Sequence, residues 1–290
     1  MAWRRHKLHT IREWEADAAT QEIYSEVELA LGILYVPTMF QVFASFPDFF
    51  RLFWDRAHPV LETREFFSAA DRLRAESYTR MHNYFNIPDL GWKVENMQFS
   101  SGAQLELRRA VELYHYSHPV VLQLCAALVQ AFESPETAAR HGTTPALHPS
   151  HPEKPVLVEE ENAPPLTRRI YEDIKRTMGT PFLSTCFFNF GRWPEFLNEY
   201  WEALKPVLSS PLFEHHRRAL RESALTYAAE LPQPLQLSMS ELEEAGVRRD
   251  DLSSIVQTTE FFLDLLSKQI LSLAFAKIGL EGGVRSAVAV

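Results

Sequence analysis

Apolar residues recur at helical spacing along most of the chain, and the same order of them occurs twice. Ile23, Val27, Ala30 and Leu31 form one face of a helix beginning near Thr20. It should stop at Gly32, since glycine accepts the left-handed conformation needed past a helix end. An apolar connection leads to Ser45-Phe46-Pro47-Asp48, where Ser45 or Phe46 caps a second helix, Pro47 enters its first turn and Asp48 meets its positive end. This helix buries Phe49, Phe50, Phe53, Trp54 and Ala57 and should kink or end at Pro59. A third helix is predicted over residues 68–84 and a fourth over 101–116. Pro119 then opens a fifth that is apolar on nearly every side and therefore central.

Moving the numbering by 147 lays the second half of the chain on the first. Ile23, Tyr24, Gly32, Phe40, Pro47 and Trp54 then meet Ile170, Tyr171, Gly179, Phe187, Pro194 and Trp201. Tyrosines paired in this way point to a structural hydrogen bond in each half. The counterpart of the apolar fifth helix runs from Phe261 to Ile278. Between the halves, residues 133–165 hold seven of the 18 prolines and no helical period, which reads as a linker long enough to cross the molecule. Val156 to Val158 could extend as a strand, but no sheet is predicted to receive it. The expected fold is all-α, two tandem helical repeats forming a pseudo-twofold dimer within one chain, with any site between them. The divisions are an N-terminal arm over 1–18, a first repeat over 19–132, the linker over 133–165, a second repeat over 166–282 and a tail over 283–290.

Composition narrows the partners. At 46% hydrophobic and 23% charged residues the chain has the mix of a globular protein with a substantial core. A net charge of -9 and the lack of a basic patch argue against nucleic acid and anionic membranes. No apolar run reaches the roughly 18 to 20 residues that span a bilayer, and the basic start leads into Glu13, Glu15 and Asp17 rather than a signal segment, so a cytoplasmic location is expected. Cys125 and Cys186 are the only cysteines, which rules out a disulfide framework. A more apolar outer face is expected to support a homo-oligomer.

The segments Ile170-Tyr-Glu-Asp-Ile-Lys-Arg-Thr-Met-Gly179, Phe190-Gly-Arg-Trp-Pro-Glu-Phe-Leu197 and Tyr114-His-Tyr-Ser-His-Pro119 resemble the group I 2-haloacid dehalogenases, the DehI family. The resemblance covers nearly the whole chain. It implies an all-helical pseudo-dimer and a cofactor-free hydrolysis in which an aspartate activates water to displace halide from a small 2-halocarboxylic acid. Each half also resembles the AhpD and carboxymuconolactone decarboxylase unit, through Ile-Tyr-x-x-Ile and hydrophobic-Pro-Glu, without that unit's Cys-x-x-Cys and following His. Counting back from Trp193, the aspartate position of the family falls on Cys186, and a shift of one or two residues offers Thr185 or Ser184. No Asp or Glu lies between Asp173 and Glu195. The family's asparagine before the proline corresponds to His118.

Two catalytic routes follow. His118, whose ordinary pKa is near 6.5, could activate water; alternatively it could deprotonate Cys186 to give a thiolate nucleophile. Ser184, Thr185 and Tyr114 are candidate substrate-binding residues, and Arg192 is a candidate anchor because a guanidinium meets a carboxylate in a two-bonded fork. His115/His118 and His148/His151 have a metal-like spacing, but without an acidic residue at fixed spacing no metal is predicted. The function read from these residues is hydrolysis of small 2-halocarboxylic acids. The alternatives are an enzyme using His118 and Cys186 on another small acid, and a non-catalytic protein that binds a small apolar carboxylate.

Overall fold

The computed structural model describes residues 8–133, 143–146, 151 and 153–285. The first seven residues of the arm, most of 134–152 in the linker, including His148, and the last five residues of the tail lie outside it. The described residues form twelve α-helices and no β-strand, so the chain is all-α. The segment Val156–Val158 is extended and unsheeted: Val158 N–H donates 2.9 Å to the Phe188 carbonyl instead of joining a strand.

The helices α1 (Ala18–Leu31), α2 (Thr38–Phe43) and α3 (Pro47–Leu61) recur 147 residues on as α7 (Pro165–Met178), α8 (Thr185–Phe190) and α9 (Pro194–Leu208), with identical lengths. Local chemistry sets their ends. Gly32 and Gly179 close α1 and α7 at φ 64° and 76°, a region costly to residues with a Cβ. Pro47 and Pro194 open α3 and α9 at the position where a missing N–H costs nothing. The same hydrogen bonds recur as well. Tyr24 OH donates 2.7 Å to the Ile11 carbonyl and Tyr171 OH donates 2.9 Å to the Val158 carbonyl. The indoles of Trp54 and Trp201 donate to Glu26 and Asp173. One difference has a steric cause. Where the first half has Ala44 the second has Gly191, at which a Cβ would lie 1.8 Å from the Tyr171 hydroxyl.

The longer helices are α4 (Arg64–Tyr84), α6 (Ser101–Glu133), α10 (Pro211–Ala229) and α12 (Arg249–Leu280), with α5 (Leu90–Glu95) and α11 (Met239–Glu244) between them. Here the structure corrects the sequence reading. The expected break before Pro119 does not occur, and α6 runs through it for 33 residues. Pro119 has no N–H for the His115 carbonyl, a local cost near 3 kcal/mol, but Leu113, Tyr114, Val120, Val121 and Leu122 are all buried around it. Tertiary burial outweighs the lost bond. Pro59 and Pro206 also lie inside their helices, which end two residues later.

The chain divides into two compact units, each discontinuous: residues 1–72, 119–154 and 221–266 form one, and 73–118, 155–220 and 267–290 the other. Four of the five boundaries fall inside α4, α6, α10 and α12, and the fifth, between residues 154 and 155, falls in the connection between α6 and α7. In the first unit, Phe43, Phe49 and Phe53 form an aromatic cluster with centroids 5.1 to 5.5 Å apart. In the second, Phe190, Phe196 and Tyr200 do the same at 5.8 to 6.0 Å. Among the described residues no helix is long and apolar enough to cross a membrane.

Candidate functional site

All six candidate residues read from the sequence fall in the second unit. Tyr114 and His118 are one turn apart on α6 and meet edge to face, centroids 5.7 Å apart. The Tyr114 ring also packs against Phe190 at the end of α8, 5.8 Å away and nearly perpendicular. Ser184, Thr185 and Cys186 lie at the start of α8, all buried. Tyr114 thus links the His118 turn of α6 to the helix that carries the other three.

The His118 side chain is 7% exposed. Burial pushes its pKa down to about 4; a hydrogen bond to the Tyr114 backbone opposes this, and nearby His115 adds to the fall. At neutral pH His118 is therefore an uncharged imidazole, able to accept a proton but a weak base. His115 is likewise pushed down to about 4 by burial, with the Glu112 carboxylate opposing. Among the described residues neither of its ring nitrogens has a hydrogen-bond partner. Among the described residues no group of three ligating side chains could hold a metal ion.

Cys186 is 1% exposed, and burial raises its thiol to about 12, against two local backbone hydrogen bonds that lower it. No hydrogen bond joins it to His118 among the described residues, so nothing there draws off its proton. Iodoacetamide is expected to leave Cys186 unmodified in the native protein at pH 7, where its thiolate fraction is on the order of 10⁻⁵, and to label it fully on unfolding. Mass analysis of the peptide containing Cys186 would show this, and rapid native labelling would restore the thiolate route.

Arg192 is drawn away from the buried cluster. Its guanidinium pairs with Glu106 of α6 at 2.6 Å, both side chains about half exposed, and lies 5.2 Å from the Trp193 ring centroid. The sequence reading missed a different residue. Gln269 on α12 is 4% exposed, and its amide Nε2 donates to the Ser184 hydroxyl oxygen. The signal for it was a lone amide within Leu-Ser-Lys-Gln-Ile-Leu-Ser-Leu, a run otherwise read as an apolar spine.

The repeat separates these side chains from the scaffold. The tyrosine and tryptophan hydrogen bonds occur in both halves. By contrast Tyr114, His118, Ser184, Cys186 and Gln269 stand opposite Phe261, Leu265, Pro37, Met39 and Leu122 at the same offset. At each of these positions the group is polar or titratable in one half and apolar in the other: Tyr114 and His118 come from the first half, Ser184, Cys186 and Gln269 from the second. Buried polar groups cost stability unless partnered, so polar groups that the duplicated scaffold does not repeat mark a site rather than a framework.

Comparison with known proteins agrees on the scaffold. The family described as "Halocarboxylic acid dehydrogenase DehI" matches residues 34–187. An (R)-2-haloacid dehalogenase of Pseudomonas putida is 26% identical over 276 residues, covering 93% of this chain and 92% of its own length. A second (R)-2-haloacid dehalogenase, from Rhizobium sp. (strain NHG3), is 24% identical over 234 residues, covering 79% and 90%. A mutant D-2-haloacid dehalogenase in complex with D-2-CPA superposes with a TM-score of 0.88 at 26% identity, over 95% of this chain and 97% of the other. A D-2-haloacid dehalogenase in complex with L-LA does so with a TM-score of 0.89 at 25% identity, over the same shares.

Proposed function

Because this chain belongs to the DehI family, we propose that it displaces the halide of a small 2-halocarboxylic acid with water and releases the 2-hydroxy acid, without a cofactor. The observation that carries this reading is the likeness over 95% of the chain, at TM-scores of 0.88 and 0.89, to D-2-haloacid dehalogenases. It takes in both halves rather than one unit. The names of the relatives make an (R)-2-halo acid the expected substrate.

In the reaction, a water oxygen attacks C2 on the face opposite the carbon–halogen bond. The electron pair of that bond leaves with the halide, and the proton lost by water passes to a base. No carboxylate stands between Asp173 and Glu195, so we assign the base to the neutral imidazole of His118. Cys186 stays protonated and serves as part of an apolar wall. Phe187 and Phe190, both buried, suit such a wall, which a small haloalkyl group and a departing halide require.

A second reading has its own support. An imidazole whose conjugate acid has a pKa near 4 accepts a proton reluctantly, which favours a member of the family that binds a small carboxylate without turning it over. One experiment separates the two. Incubation with each enantiomer of 2-chloropropionate in ¹⁸O-labelled water should release chloride from the (R)-form and give (S)-lactate carrying one ¹⁸O. Binding without chloride from either enantiomer would leave the non-catalytic reading.

A further inference from the structure

Gln269 and Ser184 form a buried polar pair that the duplicated scaffold does not require. At the matching positions of the first half stand Leu122 and Pro37, neither of which has a side-chain hydrogen bond to give. Of the neighbours of Gln269 along α12, Ile270, Leu271 and Leu273 are buried and apolar, and the buried Ser272 hydroxyl donates to the Lys268 carbonyl. An amide kept in such surroundings must be partnered, and its Nε2 is, by Ser184 Oγ.

The direction of that bond decides what Ser184 can do. A serine just before a helix commonly uses its oxygen to accept from the first backbone amides. Ser184 precedes α8 in the extended conformation, yet makes no such capping bond. Its oxygen accepts from Gln269 instead, which leaves the hydroxyl proton for another acceptor and polarises the O–H bond toward it. Arg192, the anchor suggested by the sequence, is engaged with Glu106.

We propose that Gln269 is a positioning residue that holds Ser184 as a hydrogen-bond donor to the carboxylate of the bound acid, so that this pair supplies the anchor. The inference rests on the reading of the chain as a site for 2-substituted carboxylates. Gln269 does not touch the substrate; it sets the rotor of the hydroxyl that does.

The test measures two things on the full-length protein: steady-state chloride release from (R)-2-chloropropionate, and calorimetric binding of (S)-lactate. Gln269→Met keeps the volume and removes the donor. It should raise KM and the lactate Kd by about 10- to 100-fold, as for a lost hydrogen bond to a charged group, with kcat changed little because the contact is made in ground and transition state alike. Ser184→Ala should do the same, and the double variant should be no worse than either single one. Gln269→Glu keeps the shape but turns an obligate donor into an acceptor. It should weaken lactate binding most at neutral pH, where the carboxylate takes the serine proton, and recover as pH falls and the new acid is protonated. This profile keeps the proposal testable if Gln269→Met does not fold. Lactate binding within twofold of wild type in Gln269→Met, full additivity with Ser184→Ala, a flat pH response in Gln269→Glu, or no lactate binding by the wild type would each overturn it. Lactate binding that depends on both residues, without chloride release, would uphold the anchor and sink the catalytic reading.

Discussion

Replacement of His118 by alanine lowers chloride release from (R)-2-chloropropionate by about 10²- to 10⁴-fold, the range lost with a general base, while lactate binding changes far less. This is the largest functional effect expected. It follows from the position of His118, the titratable group on the α6 turn that Tyr114 ties to α8, and from the absence of any carboxylate between Asp173 and Glu195. The pH profile identifies the group. In the proposed mechanism the reactive form is the neutral imidazole, and burial has moved its pKa from 6.5 down to about 4. Chloride release should therefore be flat from pH 6 to 8 and fall as pH drops through about 4; an ordinary histidine would lose it near 6.5. Because alanine also leaves a cavity, His118→Gln serves as the companion variant, keeping polarity and much of the volume. If a well-folded His118→Gln protein retains activity within a few-fold of wild type, the base lies elsewhere.

Trp201→Ala costs about 3–5 kcal/mol of stability, the range for emptying a large aromatic from a core, and lowers the melting temperature by roughly 5–15 °C. Trp201 is 1% exposed and meets Phe187 edge to face at 6.4 Å. Its indole N–H donates 2.8 Å to Asp173, which also takes Lys205 at 2.6 Å. Those two bonds, Lys205 first, hold the Asp173 carboxyl below its ordinary range. The companion variant Trp201→Phe keeps most of the apolar contact and loses only the indole bond, while Lys205 remains on the carboxylate. About 1 kcal/mol is expected there. Equal losses in the two variants, read from urea midpoints, would mean that the hydrogen bond and not the ring carries the effect.

What the chain discloses before folding follows the range of the interactions involved. The ends of α1, α3, α7 and α9 were legible because Gly32, Gly179, Pro47 and Pro194 act on their own backbone. Continuity of α6 through Pro119 was not, since it depends on burial of side chains that periodicity cannot weigh against a missing N–H. His118, Tyr114 and the start of α8 could be singled out by residue type and by their apolar opposites in the other half. Gln269 could not, because its partner lies 85 residues away and amides leave no periodic mark. Arg192 is the converse case: its fork suits a carboxylate, and in the folded chain the carboxylate it meets is Glu106. Protonation was hidden as well. The same imidazole is a neutral-pH switch in water and a fixed neutral group when buried.

The interleaving of the two compact units bears on how the protein is made. One unit draws its last segment from residues 221–266 and the other from 267–290. A ribosome adds on the order of 5–20 residues per second, and neither unit has all its parts until more than nine-tenths of the chain has been synthesised. The usual sequence, in which an N-terminal domain closes while a later one is still emerging, is not open to this topology. Cys125 of α6 and Tyr200 of α9, which bond to the Thr259 and Ser272 carbonyls, must wait for α12, and a stop codon shortly before that helix leaves no finished half behind.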